Sequence, residues 1–92
     1  MMLEVVSPEA TLFSGEVNSV AVPGANGAFQ VLDNHAPIVS ILSPGVVKIG
    51  GTISLPKETA HHFKQQGEET FLELPNGGTV EMQQNKIVLL AD

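Results

Sequence analysis

Three histidines are the side chains in this sequence whose type and spacing most invite a chemical interpretation. His61 and His62 are adjacent, and His35 stands apart from them. Imidazoles ligate transition metals and transfer protons near neutral pH. Neighbouring residues point to opposite faces of a strand and lie about 100° apart on a helix, so His61 and His62 do not converge easily on one ion. A solvated loop is the favoured interpretation of this pair, and a His-based metal- or ligand-binding protein is the alternative.

His35 belongs to a corner whose shape its neighbours determine. The Asp33-Asn34 pair favours a turn, and Pro37 biases Ala36 towards extended geometry and cannot donate a backbone hydrogen bond. The imidazole is therefore displayed at a rigid corner. No Ser-His-Asp or Cys-His arrangement with a meaningful spacing can be assembled around His35. A structural or exposed role of His35 is therefore favoured over catalysis.

The remaining candidates for chemistry are weak. The glycine-rich stretch at residues 24–27 has no lysine after it and opens no helical pattern, so it predicts a tight turn between strands and not a phosphate-binding loop. The ten carboxylates are scattered, and no pair of them has an environment suited to acid–base catalysis. The sequence therefore predicts a protein that is not an enzyme by itself, has no cofactor and presents loops or a sheet face to other proteins.

Composition narrows the class further. The 92 residues carry 4 Lys and Arg against 10 Asp and Glu, a formal net charge of −6, which argues against binding nucleic acid or an anionic membrane. Hydrophobic residues make up 42% and charged residues 15%, as expected of one folded domain spanning residues 1–92. Cysteine is absent, so there are no disulfides or thiolate metal sites. No stretch predicts a membrane span or a signal peptide.

Short apolar runs between frequent turn signals predict the elements that must position these residues. Strands at this spacing are typical of an all-β sandwich or barrel. The runs are residues 3–6, 11–13, 17–22, 28–32, 38–42, 46–55, 70–74, 79–82 and 87–90.

Two runs and one connection carry more specific predictions. Residues 47–55 alternate apolar or glycine with polar side chains, which predicts a half-buried strand. Residues 87–90 are apolar on both faces, which indicates either a central covered strand or a strand whose outer face meets a partner. The polar stretch 56–69 is expected to be an exposed excursion, with a turn or two of helix at 59–66 that Gly67 ends.

The order of motifs along the chain resembles the epsilon subunit of bacterial and chloroplast rotary ATP synthases. The resemblance is collinear over most of the sequence, and the combination of the Leu-Phe-Ser-Gly and His-Ala-Pro motifs is its most specific part. The motifs are residues 3–9, 12–17, 22–24 and 26–27, 34–37, 42 with 44–45, Phe71, 77–78, 80–82 and 88–92.

The resemblance implies a flattened sandwich of about ten short strands in the central rotor, between the gamma subunit and the c-ring. That position lies at the cytoplasmic face of the bacterial inner membrane, without insertion into it. One edge of the sandwich rests on the c-ring in this family, and a sheet face packs on gamma. The implied c-ring contacts are Asn26, Gly27, Ala28, Phe29, Asn34, His35 and Pro37, and the implied gamma contacts are Ser7, Leu12, Phe13 and the terminal strand.

Three departures from the family pattern bear on these roles. Ala28 stands where some relatives have an acidic residue that reaches the ring, which weakens the case for an ion pair there. Many bacterial relatives continue past the Leu-Ala-Asp motif into a helical hairpin, so the sequence to Asp92 resembles the short form and is expected neither to inhibit through such helices nor to bind ATP. Residues 50–63 look like an insertion. A generic β-sandwich adaptor is a further alternative, which co-purification with gamma would separate.

Overall fold

The computed structural model describes residues 1–92, and its secondary structure is almost entirely β. The single helical element is a 3₁₀ helix at Ala60–His62, far too short to cross a bilayer. The ten strands are β1 (Met2–Val6), β2 (Thr11–Glu16), β3 (Ser19–Val22), β4 (Phe29–Leu32), β5 (Ile38–Leu42), β6 (Gly45–Gly50), β7 (Phe63–Gln66), β8 (Glu69–Leu74), β9 (Gly78–Gln83) and β10 (Lys86–Ala91).

The strands form two five-stranded sheets. Sheet A has the order β2-β1-β10-β9-β5, and sheet B has the order β4-β3-β6-β8-β7. All pairings are antiparallel except that of the first strand with the last, where Met2 lies beside Lys86 and Val6 beside Leu90. The prediction of an all-β sandwich of about ten strands is confirmed.

One core of 18 buried hydrophobic residues lies between the two sheets. Strand alternation produces it: Leu3 and Val5 on β1, and Ile87 and Leu89 on β10, are fully buried while their neighbours face outwards. The terminal strand therefore pairs on both edges and buries one face, leaving Leu90 45% exposed on the other.

A β-bulge in β2 places two consecutive side chains in the core. Val5 pairs with Phe13 and Val6 pairs with Thr11, so Leu12 is an extra residue in the ladder. Leu12 and Phe13 are consequently both buried, at 5% and 3% exposure, although regular alternation would have sent one of them to the surface. The carbonyl oxygen of Leu12 instead accepts a hydrogen bond from the Thr59 hydroxyl at 2.6 Å.

The strand predicted over residues 46–55 is shorter than expected. β6 ends at Gly50 because Gly51 has a φ of +120°, a conformation that breaks the extended backbone. The alternating burial nevertheless continues, since Ile53 and Leu55 pack against the core from irregular backbone. The alternation therefore predicts correctly which side chains face inwards, but it overestimates the length of the strand.

The stretch 56–69 is partly mispredicted. The helix expected at 59–66 is limited to Ala60–His62, and β7 follows it as an edge strand paired with β8. Phe63 opposite Leu72 packs against the core, which favours strand pairing over helix. Thr59, expected in an exposed excursion, is buried at 9% exposure. Gly67, with a φ of +62°, makes the turn into β8.

Candidate functional site

The turn between β3 and β4 is rigid and is fixed to the opposite sheet. The Gly27 N–H donates to the Gly24 oxygen at 2.9 Å, which closes the turn, and Gly27 has a φ of +124°. Gly24 forms an isolated antiparallel bridge with Leu42, and the Ala25 N–H donates to the Ile41 oxygen at 2.9 Å. The turn therefore joins sheet B to the end of β5 in sheet A.

Side chains of this turn differ in how available they are to a partner. Asn26, Gly27 and Ala28 are exposed. Phe29, by contrast, is half-buried and packs against the core. A Cβ at Gly24 would lie 2.8 Å from the Phe29 ring, so the close packing of ring and turn requires glycine there. The exposed tip of the turn can contact a partner, while Phe29 mainly supports it.

The second predicted contact, the His35 corner (residues 33–37), connects β4 to β5. Asn34 has a φ of +61°, and the His35 N–H donates to the Leu32 oxygen at 3.1 Å, which closes the turn. The His35 Nδ1 lies 2.7 Å from the Ala36 oxygen. A carbonyl oxygen only accepts, so this contact requires a proton on Nδ1, and the ring itself is exposed.

Contacts from sheet A hold the His35 corner from two directions. The Asn34 N–H donates to Asn85 Oδ1 at 2.8 Å. The buried Met1 ammonium donates to Asp33 Oδ1 at 2.8 Å and to Glu16 Oε2 at 3.0 Å. The hydrogen bonds with Asp33 and then Glu16 raise the pKa of this ammonium, and the same ammonium lowers the pKa of the Asp33 carboxyl.

The residues expected at the c-ring fall into two groups along one edge. The first group, at residues 26–29, ends at the first residue of β4, and the second, at residues 34–37, follows β4. β4 is an edge strand of four residues, so the groups stand about 13 Å apart. The two groups therefore lie at opposite ends of this edge strand and do not form a single cluster.

The residues expected at gamma are placed differently from one another. Ser7 lies at the surface in a turn after β1, where its N–H donates to the Ala10 oxygen at 2.8 Å. Leu12 and Phe13 belong to the core because of the bulge described above, so their side chains face inwards and not towards a partner. Of this set, only Ser7 and the terminal strand present side chains outwards.

The outer face of sheet A carries an apolar patch that sequence analysis only partly identified. Val39 and Ile41 on β5 are 76% and 68% exposed, and Leu90 on β10 is 45% exposed. The register places Ile41 and Leu90 on either side of Thr79, and Leu90 is next to Val6. Residues 87–90 indicate this face because they are apolar on both sides of their strand. The almost wholly apolar sequence of β5 indicates it in the same way.

The three histidines are not brought together. The rings of His61 and His62 lie 4.2 Å apart, tilted by 36°, in the exposed 3₁₀ helix, near Asp92 at one end of β10. His35 lies near Asn85 at the other end of this strand, about 20 Å away for six residues. No three His, Asp or Glu residues are placed to share a metal ion. The His-based site is therefore not supported.

Comparison with known proteins points to one family. The family model described as the ATP synthase delta/epsilon chain beta-sandwich domain matches residues 1–92. The ATP synthase epsilon chain of Chlorobaculum tepidum is 38% identical over 90 residues, which cover 98% of this chain and 86% of that relative. The epsilon chain of Leptospira interrogans is 36% identical over 92 residues, the whole of this chain and 61% of the relative.

A solved structure supports the fold. A chain in the cryo-EM structure of the Tetrahymena thermophila mitochondrial ATP synthase central stalk and c-ring has a TM-score of 0.72 and 16% identity, covering 98% of this chain and 61% of that one. At this identity the similarity concerns the fold. The chain thus spans less than two thirds of this structure and of the Leptospira relative.

Proposed function

The chain belongs to the ATP synthase delta/epsilon family as its beta-sandwich domain, and we propose that it is a non-catalytic rotor subunit linking gamma to the c-ring. In this role it couples rotation to ATP synthesis. The observation that carries the proposal is the match of the whole chain to epsilon relatives at 36–38% identity. Its place is peripheral, in the stalk of the complex at the cytoplasmic face of the bacterial inner membrane.

The outer face of sheet A supports a contact with gamma. Val39, Ile41 and Leu90 expose apolar side chains on a protein with a net charge of −6, and a sheet face of this kind gains stability when a partner covers it. Fully burying one valine or isoleucine side chain contributes about 1.5–3 kcal/mol before the costs of association are subtracted. Ser7 and the terminal strand border the same face, so these gamma contacts fit it.

The β4 edge supports a contact with the c-ring. The exposed tip at Asn26, Gly27 and Ala28 lies at one end, and the Asn34, His35 and Pro37 corner lies at the other. Both ends are polar or small, as expected of a surface that rests on polar loops. Phe29 contributes by fixing the first turn on the core.

A rotor link makes no bonds, so what it requires of the fold is resistance to shear. The two sheets are joined outside the core by the Gly24–Leu42 bridge and by the Thr59–Leu12 hydrogen bond. The Met1 ammonium adds a third tie, because it spans Glu16 of sheet A and Asp33 at the end of β4. Force on the β4 edge therefore reaches sheet A through polar ties as well as through core packing.

A pull-down from membranes tests this proposal. The affinity tag is placed after Asp92, because the Met1 ammonium is buried. We expect gamma and c to co-purify with the tagged chain after detergent solubilisation. Recovery of the folded chain without either subunit would contradict the assignment to the rotor.

A further inference from the structure

We propose that Asn85 is a positioning residue for the His35 corner, holding it in the orientation that docks on the c-ring. The inference rests on the proposed function for the role of the corner. It concerns a residue in a different sheet and 51 positions away from the Asn34 amide that it binds.

The backbone at Asn85 does not itself require asparagine. Gln84 and Asn85 form the two-residue turn between β9 and β10, with φ values of +52° and +59°. Glycine is favoured at such positions, since it adopts positive φ without strain. Glycine would therefore fit the turn geometry equally well, so the turn alone does not account for the side-chain amide of Asn85.

The side-chain oxygen of Asn85 ties the corner to sheet A. It accepts from the Asn34 N–H at 2.8 Å, and Asn34 directly precedes His35. The local hydrogen bond from the His35 N–H to the Leu32 oxygen closes the turn but makes no contact with the opposite sheet. The Asn85 contact is thus what relates the direction of the corner to β9 and β10.

The backbone of Asn85 is fixed in turn. Its carbonyl oxygen accepts from the Met2 N–H at 3.1 Å, so the turn is anchored to the start of β1. The Met1 ammonium is the main cause of the lowered pKa of Asp33, and the Asn85 side chain lowers this pKa further, so Asn85 lies beside both residues that begin the corner. The corner is accordingly held against a fixed support. The Met1 ammonium still holds Asp33 when the Asn85 amide is lost, so residues 34–37 would pivot about Asp33.

Two substitutions separate this role from a structural one. Asn85→Gly keeps the positive φ and removes the acceptor, whereas Asn85→Asp keeps an oxygen acceptor at the same position. In the full chain, amide hydrogen exchange by NMR should show about tenfold faster exchange of the Asn34 amide in N85G. Exchange in N85D should lie between that of N85G and wild type, because aspartate keeps the acceptor but places a second carboxylate beside Asp33. The Ala25 amide, bonded to Ile41 at the other turn, is the internal control.

Affinity for a gamma–c-ring assembly lacking this subunit is measured for the same variants and for H35D. Weakened binding by N85G, with partial recovery in N85D, supports the proposal. Unchanged exchange of the Asn34 amide in N85G overturns the proposal. It is also overturned if this amide exchanges faster in N85G but N85G binds the assembly as tightly as wild type while H35D binds weakly. If H35D binds normally, the proposed ring contact fails instead, and the exchange data alone decide whether Asn85 fixes the corner.

Discussion

The hydroxyl of Thr59 donates a 2.6 Å hydrogen bond to the carbonyl oxygen of Leu12, joining the segment after β6 to the edge strand β2. Leu12 is the extra residue of a bulge, so its carbonyl has no place in the β1–β2 ladder. The Thr59 side chain therefore satisfies a buried acceptor that the bulge would otherwise leave unpaired.

Replacing Thr59 by valine tests this tie. Thr59→Val preserves shape but leaves the Leu12 carbonyl without a donor, and we expect the free energy of unfolding to fall by about 1–3 kcal/mol. Urea unfolding followed by circular dichroism measures the change. Thr52→Val, at an exposed position, is the matched control and should lie within about 0.5 kcal/mol of wild type. Equal stability of the two variants would contradict the role of Thr59.

A charged substitution on the outer face of sheet A should separate folding from binding. Val39→Asp combined with Ile41→Asp places two carboxylates on side chains that are 76% and 68% exposed, so the isolated chain should stay folded. Affinity for gamma should drop about 100-fold or more, because both charges would lose water in the contact. Val46→Asp, 50% exposed on the outer face of sheet B, is the control. Equal effects of both substitutions would exclude sheet A as the gamma face.

His35→Asp should impair coupling without unfolding the protein. The ring is exposed, and its Nδ1 contact is to the neighbouring Ala36, so the core loses nothing. We expect binding to the gamma–c-ring assembly to weaken about tenfold and proton-driven ATP synthesis in reconstituted membranes to fall. His61→Asp, exposed at the other end of the molecule, should leave both unchanged. Phe29→Asp is unsuitable here, because this ring packs against the core.

Stability should depend on pH through the buried ammonium in protein whose first residue is Met1. Because folding raises the pKa of this group, its contribution is complete below the unfolded value near pH 8 and disappears as pH rises through the folded pKa. The free energy of unfolding should therefore fall as pH rises above 8. Asp33→Asn should flatten this dependence, whereas Glu9→Gln should not. An identical dependence of stability on pH in D33N and wild type would contradict a stabilising ion pair between the Met1 ammonium and Asp33.

In acid, the pH dependence of stability that Asp33 contributes has the opposite sign. Folding lowers the pKa of this carboxyl, so its contribution is present above the unfolded value near pH 3.8 and is lost as pH falls through the folded pKa. D33N and E9Q also test the pH dependence in acid. Below pH 4, D33N should lose less stability than wild type.

The strands and the core were predictable because both follow from alternation along the chain. Val47 and Ile49 face inwards as their spacing indicates, and so do Ile53 and Leu55 even where the strand has ended. β7 was not predictable from its own residues, which are mostly polar and resemble an exposed helix. Pairing with β8 and burial of Phe63 decide its conformation, and both depend on residues beyond the segment.

The interaction surfaces were predictable only as far as local sequence determines them. The His35 corner is specified by Asn34 and Pro37, and the structure has the rigid turn expected there. Leu12 and Phe13 looked like partner contacts, but a bulge turns both inwards, and bulges leave little trace in a single sequence. The Asn85 contact with Asn34 spans two sheets and carries no local signal at all.

The parallel pairing of β1 with β10 also has a consequence for biosynthesis. β1 leaves the ribosome before the other strands, yet its inner neighbour in sheet A, β10, follows more than 80 positions later. Until residue 91 has emerged, β1 and β9 each lack a partner on one side, and the sheet cannot close. Sheet A of the nascent chain should therefore remain open until residues 86–91 have emerged from the ribosome.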